Sequence, residues 1–312
     1  MLPALFRRPD GTPLHDKLSI SRRFLPFMLG DATSAWLLWE EQIRIQPALD
    51  FIDAWNARYS TQPELRISLH HLTLRAIAMA IHHFPRLNKF LAGDRYYQRN
   101  ELYISYSAKK KHAAGAGLLI FKRAFPRHEP MEELVRSLNS RVKDDRKVEK
   151  SAQEKELQTY LRFLPRSVIR LAMRGIDWLD SHNLLPKSFI SHHALFSGIF
   201  VSNLASLGLE SGWHHLYRQG QISLFGVLGR PRDQVVAEAG QPVVRKVCSL
   251  KWTFDERIED GYNAGRAATF VTRLMENPRL LVETEAIATH PAFAYHFDGH
   301  RKVDDPPLPE DF

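Results

Sequence analysis

The chain has 312 residues and 43 lysines and arginines against 35 aspartates and glutamates, a formal net charge of +8, with 44% hydrophobic and 25% charged residues. These proportions exclude a collagen-like, disordered or disulfide-stapled chain and leave enough length for a sizeable core, in two domains or one large α/β unit. Cys248 is the only cysteine, so an intramolecular disulfide and a cysteine-built zinc site are excluded and a reducing compartment is expected. No secretory apolar region and no run of ~18 apolar residues occurs, which points to a cytoplasmic protein with attachment to a membrane surface left open.

In chain order, Ser68 to His83 carries apolar residues at Leu69, Leu72, Ala76, Ile77, Ala80 and Ile81, a helical face that stops before Pro85 and predicts a mostly buried helix. Leu102–Ser107 and Leu118–Phe121 read as strands and Met131–Val142 as an amphipathic helix. Gly198–Ser202 and Ser223–Leu228 are short apolar runs between turn residues, as buried strands are. From Val244 to Phe254 a period of two puts Val244, Cys248, Leu250, Trp252 and Phe254 on one side, with Ser249, Lys251, Thr253 and Asp255 on the other. After Asp260-Gly261 a helical pattern runs from Asn263 to Glu276 and ends before Pro278. The stretch 131–156 is highly charged, and the tail 301–312 is too polar and Pro-rich to pack and is expected to be mobile.

The turn between that strand and that helix, Phe254-Asp255-Glu256-Arg257-Ile258-Glu259-Asp260-Gly261, crowds four carboxylates and an arginine. Two readings stay open: a solvated turn with Glu/Arg pairs, or a site where one buried carboxylate of raised pKa acts as general base. The run WTFDERIEDGYNAGRAATFVTRLMENPRLL resembles the active-site segment of the 2-oxo acid dehydrogenase dihydrolipoyl acyltransferase catalytic domain, of the chloramphenicol acetyltransferase-like superfamily. That segment normally reads Asp-His-Arg-x-x-Asp-Gly before a helix. Four further stretches are similar and collinear: Leu18-Ser19-x-x-Arg22-Arg23, Phe84-Pro85-x-Leu87-Asn88, Val201-Ser202-Asn203-Leu204 with Gly208, and Phe225-Gly226-Val227-Leu228-Gly229.

The resemblance implies an α/β fold, a two-layer sandwich of a mixed sheet and helices, assembled as a homotrimer or a multiple of it. It implies acyl transfer from acyl-CoA to a thiol, hydroxyl or amine acceptor at the subunit interface. By position Ser202 matches the serine that stabilises the oxyanion from a neighbouring subunit. Asp260, with Gly261, matches the Asp-Gly turn that holds the loop, Arg257 the arginine after the histidine, and Asn203 neighbours the serine. The histidine position itself holds Glu256. An ordinary glutamate, pKa ~4.3, is about four units weaker as a base than a thiolate at ~8.5, a mismatch of roughly 5–6 kcal/mol that burial reduces. Glu256 is therefore read either as base or proton relay, or as an ionised group held by Arg257 and Lys251. The corresponding functions are a CoA-dependent acyltransferase and a catalytically silent trimeric binding or assembly protein.

The resemblance covers 18–285, which makes 1–17 an N-terminal extension, about 145–196 a helical insertion and 286–312 a C-terminal extension that puts a large cage in doubt. No Asp-Lys-Ala lipoyl signature is found, so no lipoyl arm in cis is expected and the acceptor is a free small molecule or another protein's carrier group. Within the insertion Arg162, Arg166, Arg170 and Arg174 recur every four residues, a helical stripe opposite apolar residues such as Leu164, Ile169 and Trp178, and Pro165 starts or kinks a helix. This is a solvated hairpin, or a basic amphipathic face for a peripheral membrane contact or a lid. Lys109, Lys110 and Lys111 read as a solvated turn between strands or a contact for CoA phosphates. Gly115-Ala116-Gly117 reads as a turn, and Cys248 as a buried hydrophobe. The adjacent histidine pairs 70/71, 82/83, 192/193 and 214/215 point different ways on a helix or strand, so no metal is expected. Interleaved acidic residues and the lack of any nucleic-acid motif argue against nucleic acid.

Overall fold

The computed structural model describes residues 8–14, 17–109, 118–147, 164–293, 295–296 and 301–302. Lys110, Lys111, Arg162, the 115–117 turn and nearly all of the tail 301–312 therefore lie outside the described residues. The elements in chain order are β1 (Gly11–Pro13), α1 (Ile20–Leu29), β2 (Trp36–Arg44), α2 (Gln46–Arg58), α3 (Leu69–His83), β3 (Lys89–Ala92), β4 (Arg95–Arg99), β5 (Tyr103–Lys109) and β6 (Leu118–Ala124). There follow α4 (Met131–Lys147), α5 (Arg166–Ser181), α6 (Lys187–His192), β7 (Ile199–Asn203), β8 (Leu224–Leu228), β9 (Arg232–Glu238), β10 (Gln241–Asp255) and α7 (Gly261–Glu276). The expected α3 and α7 are present, and α7 opens with the Asp260 carboxylate accepting from the Asn263 amide at 2.9 Å, an N-cap that satisfies one free helix donor.

One mixed sheet has the strand order β2-β10-β8-β7-β5-β6, with β9 paired to the first half of β10. β7 runs parallel to β5 and β8, and the other pairings are antiparallel. A smaller sheet has the order β1-β4-β3. Alternation in the central strands builds two cores. Ile199, Val201, Leu224 and Leu228 join α2, α3, α4 and α7 in the main core, together with Cys248, Leu250, Trp252 and Phe254 of β10. Phe200, Phe225 and Val227 pack with Leu216 and Ile222 on the opposite face. That second layer is why Ser249, Thr253 and Asp255 are buried as well. Val244 is 61% exposed, because the first half of β10 reaches beyond the helices with only β9 and its own turn beside it.

Residues 8–14 are part of the body. β1 pairs with β4, and the Arg8 guanidinium donates to Asp10 at 2.9 Å and to Asp180 of α5 at 2.8 Å. Beyond residue 285, Phe293 is buried edge-on against Phe270, 5.0 Å between centroids. Among the described residues no helix is long and apolar enough to cross a membrane.

Candidate active site

β10 delivers Asp255 to the sheet end, and six residues later α7 begins. The turn between them is mostly buried: Asp255, Arg257, Ile258 and Glu259 are all inside, with Glu259 only 1% exposed. The solvated-turn reading is corrected here, because each buried charge has its own partner. Arg257 grips Asp255 in a bidentate pair, Nε to Oδ1 at 2.9 Å and Nη2 to Oδ2 at 2.7 Å, and donates a third bond to the Gly30 carbonyl at 2.6 Å. Burial works against its charge, but Asp255 outweighs this and holds the guanidinium above its ordinary pKa. Glu259 accepts from Lys89 Nζ at 2.9 Å and from Arg22 Nη2 at 3.1 Å. Burial lowers the Lys89 pKa, and the Glu259 charge opposes that shift. The Tyr96 hydroxyl ties the Arg257 carbonyl at 2.7 Å, and burial pushes the phenol up to about 12.

Glu256 differs from its neighbours. Its amide donates to the Ala35 carbonyl at 2.9 Å, so its backbone is fixed. Its half-buried carboxylate has no hydrogen bond or ion pair among the described residues. The expectation that Arg257 and Lys251 hold it is not met: Arg257 is spent on Asp255, while Lys251 lies 3.9 Å from Glu40 and over the Trp213 ring at 5.1 Å. Asp260 faces Arg22 at 3.7 Å in addition to capping α7, and the Gly261 backbone sits against Leu37. Among the described residues the turn therefore presents one unneutralised carboxylate, that of Glu256.

Ser202 and Asn203 end β7. Ser202 is partly buried, and the Asn203 carboxamide accepts from the Ser206 amide at 3.2 Å, closing the following turn. Lys109 ends β5, beside β7 and at the same end of the sheet as Ser202. Glu256 is at the other end. Ser202 is level with Val227, and Val227 with Lys251, so Glu256 lies five residues, about 17 Å, further along β10 and two strands across.

Beside the turn is a cavity of about 260 Å³, walled by Asp255, Arg257 and Ile258, by Gly93 and Asp94 of the β3–β4 turn, and by Ile176, Asp177 and Asp180 of α5. Arg166, Arg170 and Arg174 lie on α5 and are exposed. Sequence reasoning missed Lys89, Tyr96 and the ion pair of Asp255. Only the Arg22 motif and Asn88, next to Lys89, hinted at them. Cys248 is buried, donates to the Gly229 carbonyl at 2.9 Å, and has its thiol pushed up to about 12 by burial. Among the described residues no three His, Cys, Asp or Glu side chains gather where a metal ion could be held.

The fold is the mixed-sheet α/β fold of acyltransferase catalytic cores, and part of the chain is similar in sequence to such a catalytic domain. The family model of the 2-oxoacid dehydrogenases acyltransferase (catalytic domain) matches residues 194–283, from β7 through the turn and α7. Among solved structures, the probable dihydrolipoamide acetyltransferase of Listeria monocytogenes has a TM-score of 0.56 at 14% identity, over 83% of this chain and 90% of that one. The dihydrolipoamide acetyltransferase of Azotobacter vinelandii has a TM-score of 0.57 at 13% identity, over 88% of this chain and 93% of that one. In that protein a serine, a histidine and an asparagine have been studied for their role in the catalytic mechanism. A truncated catalytic core of the 2-oxoacid dehydrogenase multienzyme complex from Thermoplasma acidophilum has a TM-score of 0.52 at 14% identity, over 84% and 97%. No curated protein matches the chain.

Proposed function

We propose that the protein transfers an acyl group from acyl-CoA to a thiol, hydroxyl or amine acceptor, at a site completed by a second copy of the chain. The observation that carries this reading is the lone unpaired carboxylate of Glu256, on a turn whose other buried charges are all neutralised. Glu256 takes the proton of the acceptor as the acceptor's heteroatom attacks the thioester carbonyl. The Ser202 hydroxyl of a neighbouring subunit donates to the oxyanion. Collapse expels the CoA thiolate, and the proton held by Glu256 passes to it, so the carboxylate is regenerated. Arg257, Asp255 and Asp260 hold the turn. Residues 18–285 form the catalytic unit, and Lys109, Lys110 and Lys111 contact the CoA phosphates.

A homotrimer is the assembly this reading implies, in keeping with the fold shared with multienzyme cores. The second reading, a silent trimeric binding protein, is favoured by the basicity deficit of a glutamate relative to a thiol. Chromatographic measurement of free CoA released from short- and long-chain acyl-CoAs, with panels of thiols, alcohols and amines, separates the two. Turnover that Glu256→Gln lowers by about 10²–10³-fold supports the base role. Binding without turnover across the panel establishes the silent reading, and wild-type rates in Glu256→Gln remove the carboxylate from the mechanism.

A further inference from the structure

α5 is anchored on one side only. Ile176 and Leu179 pack against Leu185, Ile190 and Phe196, and Asp180 accepts from Arg8 and from Gln221 Nε2, the latter at 3.1 Å. From Leu164 to Arg174, by contrast, every residue is exposed. The exposed surface is not that of an ordinary solvated helix. Leu171 is 71% exposed and Trp178 55%, and at 3.6 residues per turn Val168, Leu171 and Trp178 fall within a strip about 80° wide. Arg166, Arg170 and Arg174 form the adjoining strip. None of the three makes an ion pair or hydrogen bond among the described residues.

We propose that α5 is an interfacial helix that lays Val168, Leu171 and Trp178 into the surface of an anionic bilayer, with Arg166, Arg170 and Arg174 on lipid phosphates. A tryptophan and large aliphatic side chains beside guanidiniums free of protein partners match what such a surface offers: apolar depth next to phosphate oxygens that the guanidinium fork binds bidentately. A protein partner would supply acidic side chains for the same arginines, whereas a second copy of α5 packed face to face would bring arginine against arginine. The rigid hold on Ile176, Leu179 and Asp180 keeps the strip outward without further folding.

The test is flotation of the full chain with vesicles of phosphatidylcholine alone and of phosphatidylcholine with phosphatidylglycerol, at low and high salt, alongside its mass in solution and its unfolding temperature. Binding to the anionic vesicles that salt weakens is expected. The triple variant Arg166→Gln, Arg170→Gln, Arg174→Gln should lower the partition coefficient by about a hundredfold. Leu171→Ser with Trp178→Ser should release the protein from vesicles with mass and unfolding temperature unchanged. The proposal is overturned by no flotation, by flotation that neither variant weakens, by a change of mass in the serine variant, which would make the strip a subunit contact, or by a lowered unfolding temperature, which would mean the chain itself covers it. None of these outcomes depends on acyl transfer.

Discussion

Ser202 and Glu256 lie at opposite ends of the same sheet, Ser202 on β7 level with Lys251 and Glu256 beyond the far end of β10. Their backbones are on the order of 20 Å apart by strand geometry. One oxyanion and one proton-accepting carboxylate must meet within a few ångströms of a single thioester, so a site using both draws them from two copies. Mixing subunits of Ser202→Ala with subunits of Glu256→Gln should therefore restore activity that neither variant has alone. With random exchange about a quarter of the interface sites regain both intact groups. Recovery near that fraction, measured as CoA release after refolding the variants together, is the expected result; no recovery would place the two groups in separate roles.

Breaking the Asp255–Arg257 pair strands a buried guanidinium. Asp255→Asn should cost about 3–5 kcal/mol of unfolding free energy, whereas Asp255→Leu combined with Arg257→Met should cost less than either single change. Denaturant titration of the three proteins measures both. Equal losses in the single and double variants would mean that the pair is not the source of the cost.

His70 is half-buried and edge-on to Tyr106 at 5.8 Å, its two ring nitrogens shielded from water and without a hydrogen bond among the described residues, and desolvation of the ring pushes its pKa down to about 3. His71 is pushed down to about 4 by burial, with the Asn139 contact opposing. An unfolded histidine titrates near 6.5. Between 6.5 and these lowered values the unfolded chain binds protons that the folded chain refuses, so stability is full above about pH 6.5 and falls as pH drops. The slope is up to about 1.4 kcal/mol per pH unit for each ring. His70→Leu should flatten the acid limb by one proton in urea titrations from pH 7.5 to 4.5. The difference from wild type isolates this ring from titrating carboxylates.

Gly93 has φ +56°, and a Cβ placed there would lie 2.6 Å from the Ser181 carbonyl oxygen at the end of α5. Gly93→Ala must strain the β3–β4 turn or push α5 outward, at about 1–3 kcal/mol. Faster limited proteolysis within 166–181, with the rest of the chain as resistant as before, is the expected signature.

The helix α3 and the second half of β10 were readable because a single period fits each, and the flanking Pro85 and Asp260-Gly261 mark ends that the backbone respects. β2 resists such a reading: Trp36, Leu37, Leu38 and Trp39 are apolar on both faces, and three of the four stay exposed. The Val244 side of β10 has the right alternation and no core to face. In the turn, motif order located Glu256, Arg257 and Asp260, but pairing was beyond reach. The partners of Asp255, Arg257 and Glu259 are a neighbour two residues away, a carbonyl at Gly30, and Lys89 and Arg22 from strands and helices far back in the chain. Local sequence holds no record of which of four carboxylates such distant cations choose. It therefore could not show that Glu256 is the one they leave.

The lone thiol of Cys248 points its proton at Gly229 inside the main core. A disulfide reagent added to the native protein accordingly meets no reactive sulfur of its own chain. With an alcohol or amine as acceptor, free CoA becomes the sole source of colour in an activity assay, and a cysteine placed at Leu171 would be the sole point of attachment for a probe reporting on depth in a bilayer.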